Sequence, residues 1–239
     1  MKEELEKKFH SAHYLRHNRK RLEHLESLGI PLRGKSVLEV GAGIGDLSEF
    51  LIREGAQVTI TEVREENLEY VRNRFPGQRT ERLDLEAPAE ASFEKHDMVF
   101  CYGTLYHLRD PAGALKYLAG LCKERMLVET CVSFGKDEAV NRVREDRARV
   151  SQSFEGIGCR PTRIWIYRRL QELFPFVYVP RTQPDHEEFP VDWTRPEKHK
   201  AKLSRAIFVA SRQKIQNENL QNELPDRQIR FSADPEPNP

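Results

Sequence analysis

The sequence predicts an α/β protein, doubly wound around a mostly parallel sheet. Three observations carry the prediction. Short apolar runs of strand length alternate with amphipathic stretches of helical period, as in successive βα units. A loop with glycine at every second position follows the first run, and an acidic residue stands at or just beyond the end of each of the first three runs. In order, residues 3–28 read as a charged helical segment with Phe9, Leu15, Leu22 and Leu25 as candidate contacts, closed by Gly29 and Pro31. Val37-Leu38-Glu39-Val40 is the first strand, and a helix follows from Asp46 to Glu54-Gly55. Gln57-Val58-Thr59-Ile60 is the second strand, with Glu62 at its end. The stretch from Arg64 to Phe75 is a helix with Leu68, Val71 and Phe75 on one face, stopped by Pro76-Gly77. A short third strand lies around Arg82-Leu83, before Asp84-Leu85, and Met98 to Cys101 is the fourth. Met126 to Val132 is the fifth, a helix spans Pro161 to Phe174, Phe176 to Val179 is the sixth strand, and Ile207 to Ala210 is the last.

The glycine loop carries the chemistry. Gly41, Gly43 and Gly45 lack a Cβ, so the backbone can take dihedrals closed to other residues and bring its amides against a bound molecule. The dinucleotide pattern Gly-x-Gly-x-x-Gly would need glycine where this chain has Asp46. Asp46 with Glu49 fits an N-cap and its capping-box partner, which would set a carboxylate where a pyrophosphate must dock. S-adenosylmethionine (SAM) has no phosphate, and its sulfonium and amino group are cationic. A nearby ammonium would also compensate Glu39, a carboxylate at the end of an apolar strand. Glu62 can bond both hydroxyls of an adenosine ribose, or stand solvated at the start of the next helix.

Together these features resemble the class I SAM-dependent methyltransferases over roughly residues 35–132. The resemblance implies a Rossmann-like, seven-stranded sheet with an antiparallel last strand. It also implies that Glu39 serves the methionine amino group and that Gly41, Ala42 and Gly43 serve the methionine backbone. Glu62 with Val63 would serve the ribose, Asp84 with Leu85 the adenine, and Cys101 the methionine side. The segment Leu105-Tyr106-His107 after strand four is similar to a branch that includes tRNA wobble-uridine carboxymethyltransferases and uncharacterised bacterial relatives. Gly158 to Arg163 and Pro184 to Pro190 are similar to unassigned members of that wider group.

With 239 residues, of which 38% are hydrophobic, the chain has enough for one domain core with decorations. A net charge of +1 supplies no global field to hold a polyanion. Between Arg142 and Arg169, however, eight arginines face three acids, either a local RNA-binding patch or a solvated face of alternating charge. Cys101, Cys122, Cys131 and Cys159 show no zinc or redox spacing and fit a reducing compartment. No apolar stretch reaches 18 residues, so no membrane association and a cytoplasmic location are expected. The oligomeric state is not legible.

The expected organisation is an N-terminal helical extension (1–34), a methyltransferase domain (35–212) with insertions at 133–160 and 180–204, and a polar, disordered tail (213–239). The extension would cover the cofactor with His10, His13, Tyr14 and His17 either facing the site or solvated. Gly156 to Gly158 would hinge the first insertion over a substrate. Asp185, His186, Glu187, Glu188 and Trp193 would hang over the pocket from the second. Metal ligation by His186 and its carboxylate neighbours is not expected, since consecutive side chains rarely converge on one ion. For methyl transfer to oxygen a base helps, and His107 is the candidate base, or else a wall residue. Tyr106, with Tyr102, would position the acceptor. The amino-methylating signature Asn-Pro-Pro-Tyr is replaced by Cys101-Tyr102-Gly103-Thr104. A small-molecule or sugar-containing acceptor is therefore expected. The alternatives are methyl or carboxymethyl transfer to a tRNA base, and a SAM-binding subunit without turnover.

Overall fold

The computed structural model describes residues 2–88 and 93–232. Two helices, α1 (Lys2–Phe9) and α2 (Ala12–Ser27), precede the first strand, where the sequence suggests one continuous segment. The break falls at Ser11, whose extended backbone and side chain cap α2 by accepting from the Tyr14 amide.

The chain then alternates β1 (Ser36–Val40), α3 (Asp46–Arg53), β2 (Gln57–Glu62), α4 (Glu65–Arg74), β3 (Arg79–Arg82), β4 (His96–Tyr102), α5 (Pro111–Leu121) and β5 (Cys122–Val132). A hairpin of β6 (Val140–Arg144) and β7 (Ile157–Pro161) leads into α6 (Arg163–Leu173) and β8 (Phe176–Pro180). Four strands remain: β9 (Thr182–Gln183), β10 (Ser204–Ser211), β11 (Leu220–Gln221) and β12 (Ile229–Arg230).

The main sheet has eight strands in the order β11-β8-β10-β5-β4-β1-β2-β3. Strands β3, β2, β1, β4 and β5 pair in parallel, while β10 runs antiparallel to both β5 and β8. This is the doubly wound sheet with a reversed last strand that the sequence predicts, plus the two-residue edge strand β11. Strand β4 shows why both faces must be covered. Val99 and Cys101 point into the cluster beneath α5 and α6, whereas Met98, Phe100 and Tyr102 point into the cluster beneath α2 and α3. Burial of each such large side chain stabilises the fold by about 1.5–3 kcal/mol.

The tail differs from expectation. Residues 213–232 lie against the body instead of leaving it: Leu220 is buried, and the Asn217 and Asn219 side chains donate to the Leu28 and Ser27 carbonyls. Arg230 donates to the carbonyls of Pro184, His186 and Phe189. A polar stretch can dock without much apolar surface when its side chains satisfy otherwise open helix and loop carbonyls. Asp234 to Pro239 lies outside the described residues.

Candidate active site

Parallel strands β1, β2 and β4 end together, and a cleft opens at that carboxyl edge, as doubly wound sheets dictate. It encloses about 1080 Å³ including its mouth. Gly41, Ala42, Gly43, Glu62, Val63, Asp84 and Leu85 all line it, so the predicted cofactor residues from three strand ends share one wall.

The glycines have distinct causes. Gly41, at φ +67°, faces Thr104 so closely that a Cβ would fall 2.7 Å from its Cγ2. Gly43, at φ +60°, faces Phe9, and a Cβ there would sit 3.0 Å from the ring. The first glycine thus accommodates the loop after β4, and the second seats the N-terminal extension on the loop. The Glu62 carboxylate is fixed by three amides: Oε2 accepts from Gly43 at 2.8 Å, and Oε1 from Val63 at 2.8 Å and Arg64 at 3.0 Å. Burial pushes its pKa up, and those amide bonds work against the shift.

Glu39 and Cys101 do not line the cleft. Each follows from the period-two alternation of its strand. Cys101 lies in the cluster beneath α5 and α6, and burial pushes its thiol up to about 12. Glu39 is buried beneath α3, where the Ser48 hydroxyl donates to Oε2, while Oε1 has no partner among the described residues. Burial lifts its pKa to about 7. The Tyr102 hydroxyl, in a residue that does line the cleft, is likewise buried without a partner.

Asp46 and Glu49 form no capping box. Gly45, with φ +82°, occupies the N-cap, so Asp46 enters the helix and turns to Arg74 at 2.7 Å and His10 at 3.1 Å. Its carboxylate nevertheless stands in the cleft wall at the α3 N-terminus, where it opposes a second anion.

The rest of the cleft wall is built by Tyr106 and His107 in a single 3₁₀ turn after β4, by residues 150–155 of the β6–β7 loop, and by Tyr14, His17, Asn18 and Arg21 of α2. His107 Nδ1 meets Glu145 Oε2 at 2.5 Å, and Arg160 holds the other carboxylate oxygen at 3.3 Å. Burial lowers the His107 pKa, and Glu145 opposes that shift. Burial raises the Glu145 carboxyl, but the bond to His107, the Ser153 amide and the Arg160 charge together depress it. Gly158 is no hinge here: a Cβ at this position would lie 2.5 Å from the Tyr106 carbonyl and 2.7 Å from Glu145 Oε1. It lets the hairpin approach the 3₁₀ turn.

Tyr106 lies between two guanidiniums, with Arg160 4.9 Å and Arg205 5.0 Å from its ring centre. Burial raises its pKa, so the phenol stays protonated. Arg205 belongs to a buried chain: Arg21 donates to Glu129 at 2.8 Å, and Arg205 donates to Glu129 at 3.0 Å and to Glu188 at 2.7 Å. Sequence reasoning missed Arg21, Glu129, Glu145 and Arg205. One signal was available, since Glu129 sits inside the apolar run Met126 to Val132 and a buried carboxylate demands a partner.

Residues 184–193 do not reach the cleft. Asp185, His186, Glu187 and Glu188 face α2, which stands between them and the cavity. Trp193 instead stacks 3.9 Å from the Arg163 guanidinium. Of the histidines of the extension, His17 lines the cleft, while His10 and His13 turn to Asp46 and Glu188. Leu15, a candidate contact, is exposed.

The sheet order and the glycine loop at its carboxyl edge define an α/β protein of the Rossmann-like, ligand-binding class. Residues 38–125 match the family described as a methyltransferase domain. It is 36% identical over 124 residues to the ubiquinone biosynthesis O-methyltransferase of Vibrio cholerae serotype O1, covering 50% of each chain. Over 98 residues it is 36% identical to the enzyme of that name from Stutzerimonas stutzeri, covering 39% of this chain and 42% of the relative. The chain thus spans about half the length of the curated relatives it matches. Among solved structures, the N-terminal domain of EvdMO1 with SAH and D-fucose shares the fold at a TM-score of 0.62 and 22% identity, covering 84% of both chains. The magnesium protoporphyrin IX methyltransferase of Synechocystis PCC 6803 with bound SAM does so at 0.54 and 17% identity, covering 87% of this chain and 84% of that one. Among the described residues, no helix is long and apolar enough to cross a membrane.

Proposed function

We propose that the protein transfers a methyl group from SAM to a hydroxyl of a small-molecule or sugar-containing acceptor. The observation that carries this reading is the meeting of Glu62, Asp84 and the glycine loop with Tyr106 and His107 in one cleft. The residues fit the cofactor: Glu62 and Asp84 offer carboxylates on the loop side, and the orphaned Glu39 Oε1 offers buried negative charge that a cationic group near the loop would compensate. When bound, SAM supplies an electrophilic methyl on its sulfonium.

The chain's own work is alignment and proton handling. Tyr106, Phe154 and Tyr14 give the acceptor an aromatic wall, and the N-terminal extension helps exclude water from it. His107, held neutral by burial and oriented through Nδ1 by the Glu145 carboxylate, accepts the hydroxyl proton on Nε2 as oxygen attacks. The relatives named for ubiquinone O-methylation, and the neighbour crystallised with D-fucose, support an oxygen acceptor of small size. The buried free thiols support a reducing compartment such as the cytoplasm.

Isothermal titration of the protein with SAM and with S-adenosylhomocysteine tests the cofactor, and Glu62→Gln with Asp84→Asn is expected to weaken both. Release of S-adenosylhomocysteine on incubation with a fractionated metabolite extract tests turnover. Absence of binding would overturn the reading. Turnover with deproteinised RNA alone would move the acceptor to nucleic acid, and binding without turnover on any fraction would leave a non-catalytic subunit.

A further inference from the structure

Where α2 crosses the segment 184–189, imidazoles and carboxylates crowd a seam that is buried at His17, His186 and Glu188 and exposed at His13 and Glu187. His13 and His17 project from α2 one turn apart, and His186, Glu187 and Glu188 come from the segment. The His17 and His186 rings are 4.8 Å apart between centres, and those of His13 and His186 are 5.2 Å apart. His13 Nε2 lies 3.2 Å from Glu188 Oε1, His186 Nε2 3.6 Å from Glu187 Oε2, and His17 Nδ1 3.7 Å from Glu188 Oε2. Ligands on one ion with bonds of about 2.05 Å in a tetrahedron stand roughly 3.3 Å apart. In two overlapping triads, His17/His186/Glu188 and His13/His186/Glu187, the donor atoms all fall within 4.8 Å of one another.

Burial sets this cluster apart from a surface patch. His17 is 3% and His186 2% exposed, yet among the described residues both ring nitrogens of His17 and Nε2 of His186 have no hydrogen-bond partner. Leaving a buried polar group unsatisfied costs about 1–3 kcal/mol each. The positive neighbours are matched: Arg16 pairs with Glu187, and Arg205 with Glu188 Oε2, leaving Glu188 Oε1 on the cluster side. His186 Nδ1 accepts a long 3.3 Å bond from the Glu188 amide, which loading of Nε2 would give up as the proton moves to Nδ1.

We propose that His17, His186 and Glu188 bind a divalent transition-metal ion, with His13 and Glu187 as the outer pair. Two imidazoles with a carboxylate suit zinc, nickel or copper and disfavour magnesium or calcium. The ion pins α2 to the 184–189 segment and thereby fixes Tyr14 and His17, which line the cleft from the same helix. The site stands whether or not the cleft transfers methyl groups.

The test uses tag-free full-length protein stripped with EDTA, titrated with zinc chloride by calorimetry and with cobalt(II) chloride in the visible region. One ion per chain is expected, with the intense d–d bands of a four-coordinate site and no sulfur charge-transfer band. The variant H17Q/H186Q is expected to weaken binding by more than about 100-fold, since even residues that only support a ligand contribute 10–100-fold. His199→Gln, remote from the seam, is expected to leave binding unchanged. Where the double variant does not fold, X-ray absorption on the zinc-loaded wild type decides, and it must show two imidazoles. No saturable binding by the wild type, thiolate ligation, or undiminished affinity in H17Q/H186Q overturns the proposal.

Discussion

Glu129→Gln removes the single anion shared by two buried guanidiniums. Glu129 is 0% exposed, and Arg21 and Arg205 are 3% and 6% exposed, so little water can take over its role. Its two oxygens serve one guanidinium each, at 2.8 Å and 3.0 Å. Glutamine keeps the shape but loses the charge, and its amide nitrogen must face one of the arginines as a donor. Arg205 keeps Glu188, whereas among the described residues the Arg21 guanidinium keeps the Asn18 side chain alone. Breaking a buried pair by removing one partner costs about 3–5 kcal/mol. For a chain of this size that corresponds to a fall in Tm of roughly 6–20 °C. Urea denaturation followed by circular dichroism reads the loss. The double variant Arg21→Met/Glu129→Gln is expected to be less impaired than the sum of its singles, because the uncompensated charge on α2 is gone. The pH dependence has a definite sign. Burial works to raise the Glu129 carboxyl, Arg205 and Arg21 outweigh it, and the folded pKa is depressed. The contribution is present above the unfolded value of about 4.3 and is lost as pH falls through the folded one. A loss below about 1 kcal/mol at pH 7 would refute the claim that this network is dry and holds the extension.

Three further perturbations address the cleft and its cover. His107→Asn or Glu145→Gln is expected to lower kcat by about 10²–10⁴-fold while calorimetric affinity for S-adenosylhomocysteine is retained. In Glu145→Gln the rising limb of the pH–rate profile moves to lower pH, because the carboxylate that raises His107 is gone; an unmoved limb assigns the proton to another group. Gly158→Ala places a Cβ 2.5 Å from the Tyr106 carbonyl, and is expected to cost about 1–3 kcal/mol by thermal denaturation and to lower kcat through displacement of Tyr106. His24, buried against Thr182, has a pKa lowered by burial to about 4. The unfolded chain therefore takes up the proton first, and stability falls by about 3 kcal/mol as pH drops from about 6.5 to 4, a loss that His24→Gln should remove.

The glycine-loop wall of the cleft was legible because its signals are local. A glycine loop after a strand, an acid ending β2 and an acid just beyond β3 are fixed by spacing along the chain, and the parallel sheet brings strand ends together wherever the alternation is kept. Glu39 and Cys101 show the limit of that reading. Their places in sequence are those expected, yet a strand's period of two sends each side chain into a core cluster on one face or the other, and neither lines the cleft.

The sequence by itself determined the fold class, the succession of strands and helices and the glycine loop, since hydrophobic period and turn residues act over a few positions. Only the tertiary structure decided the Tyr106–His107 wall of the cleft and its cover. Arg21 and Glu129 stand 108 positions apart in the chain, His107 and Glu145 38, and His13 and Glu188 175, yet each pair meets at hydrogen-bond distance. No local pattern marks such partners. A charge that looks solvated in the chain, as Glu145 and Arg21 do, becomes a buried pair once helix α2 and the β6–β7 hairpin close over the sheet, because desolvation leaves each with no other way to be satisfied.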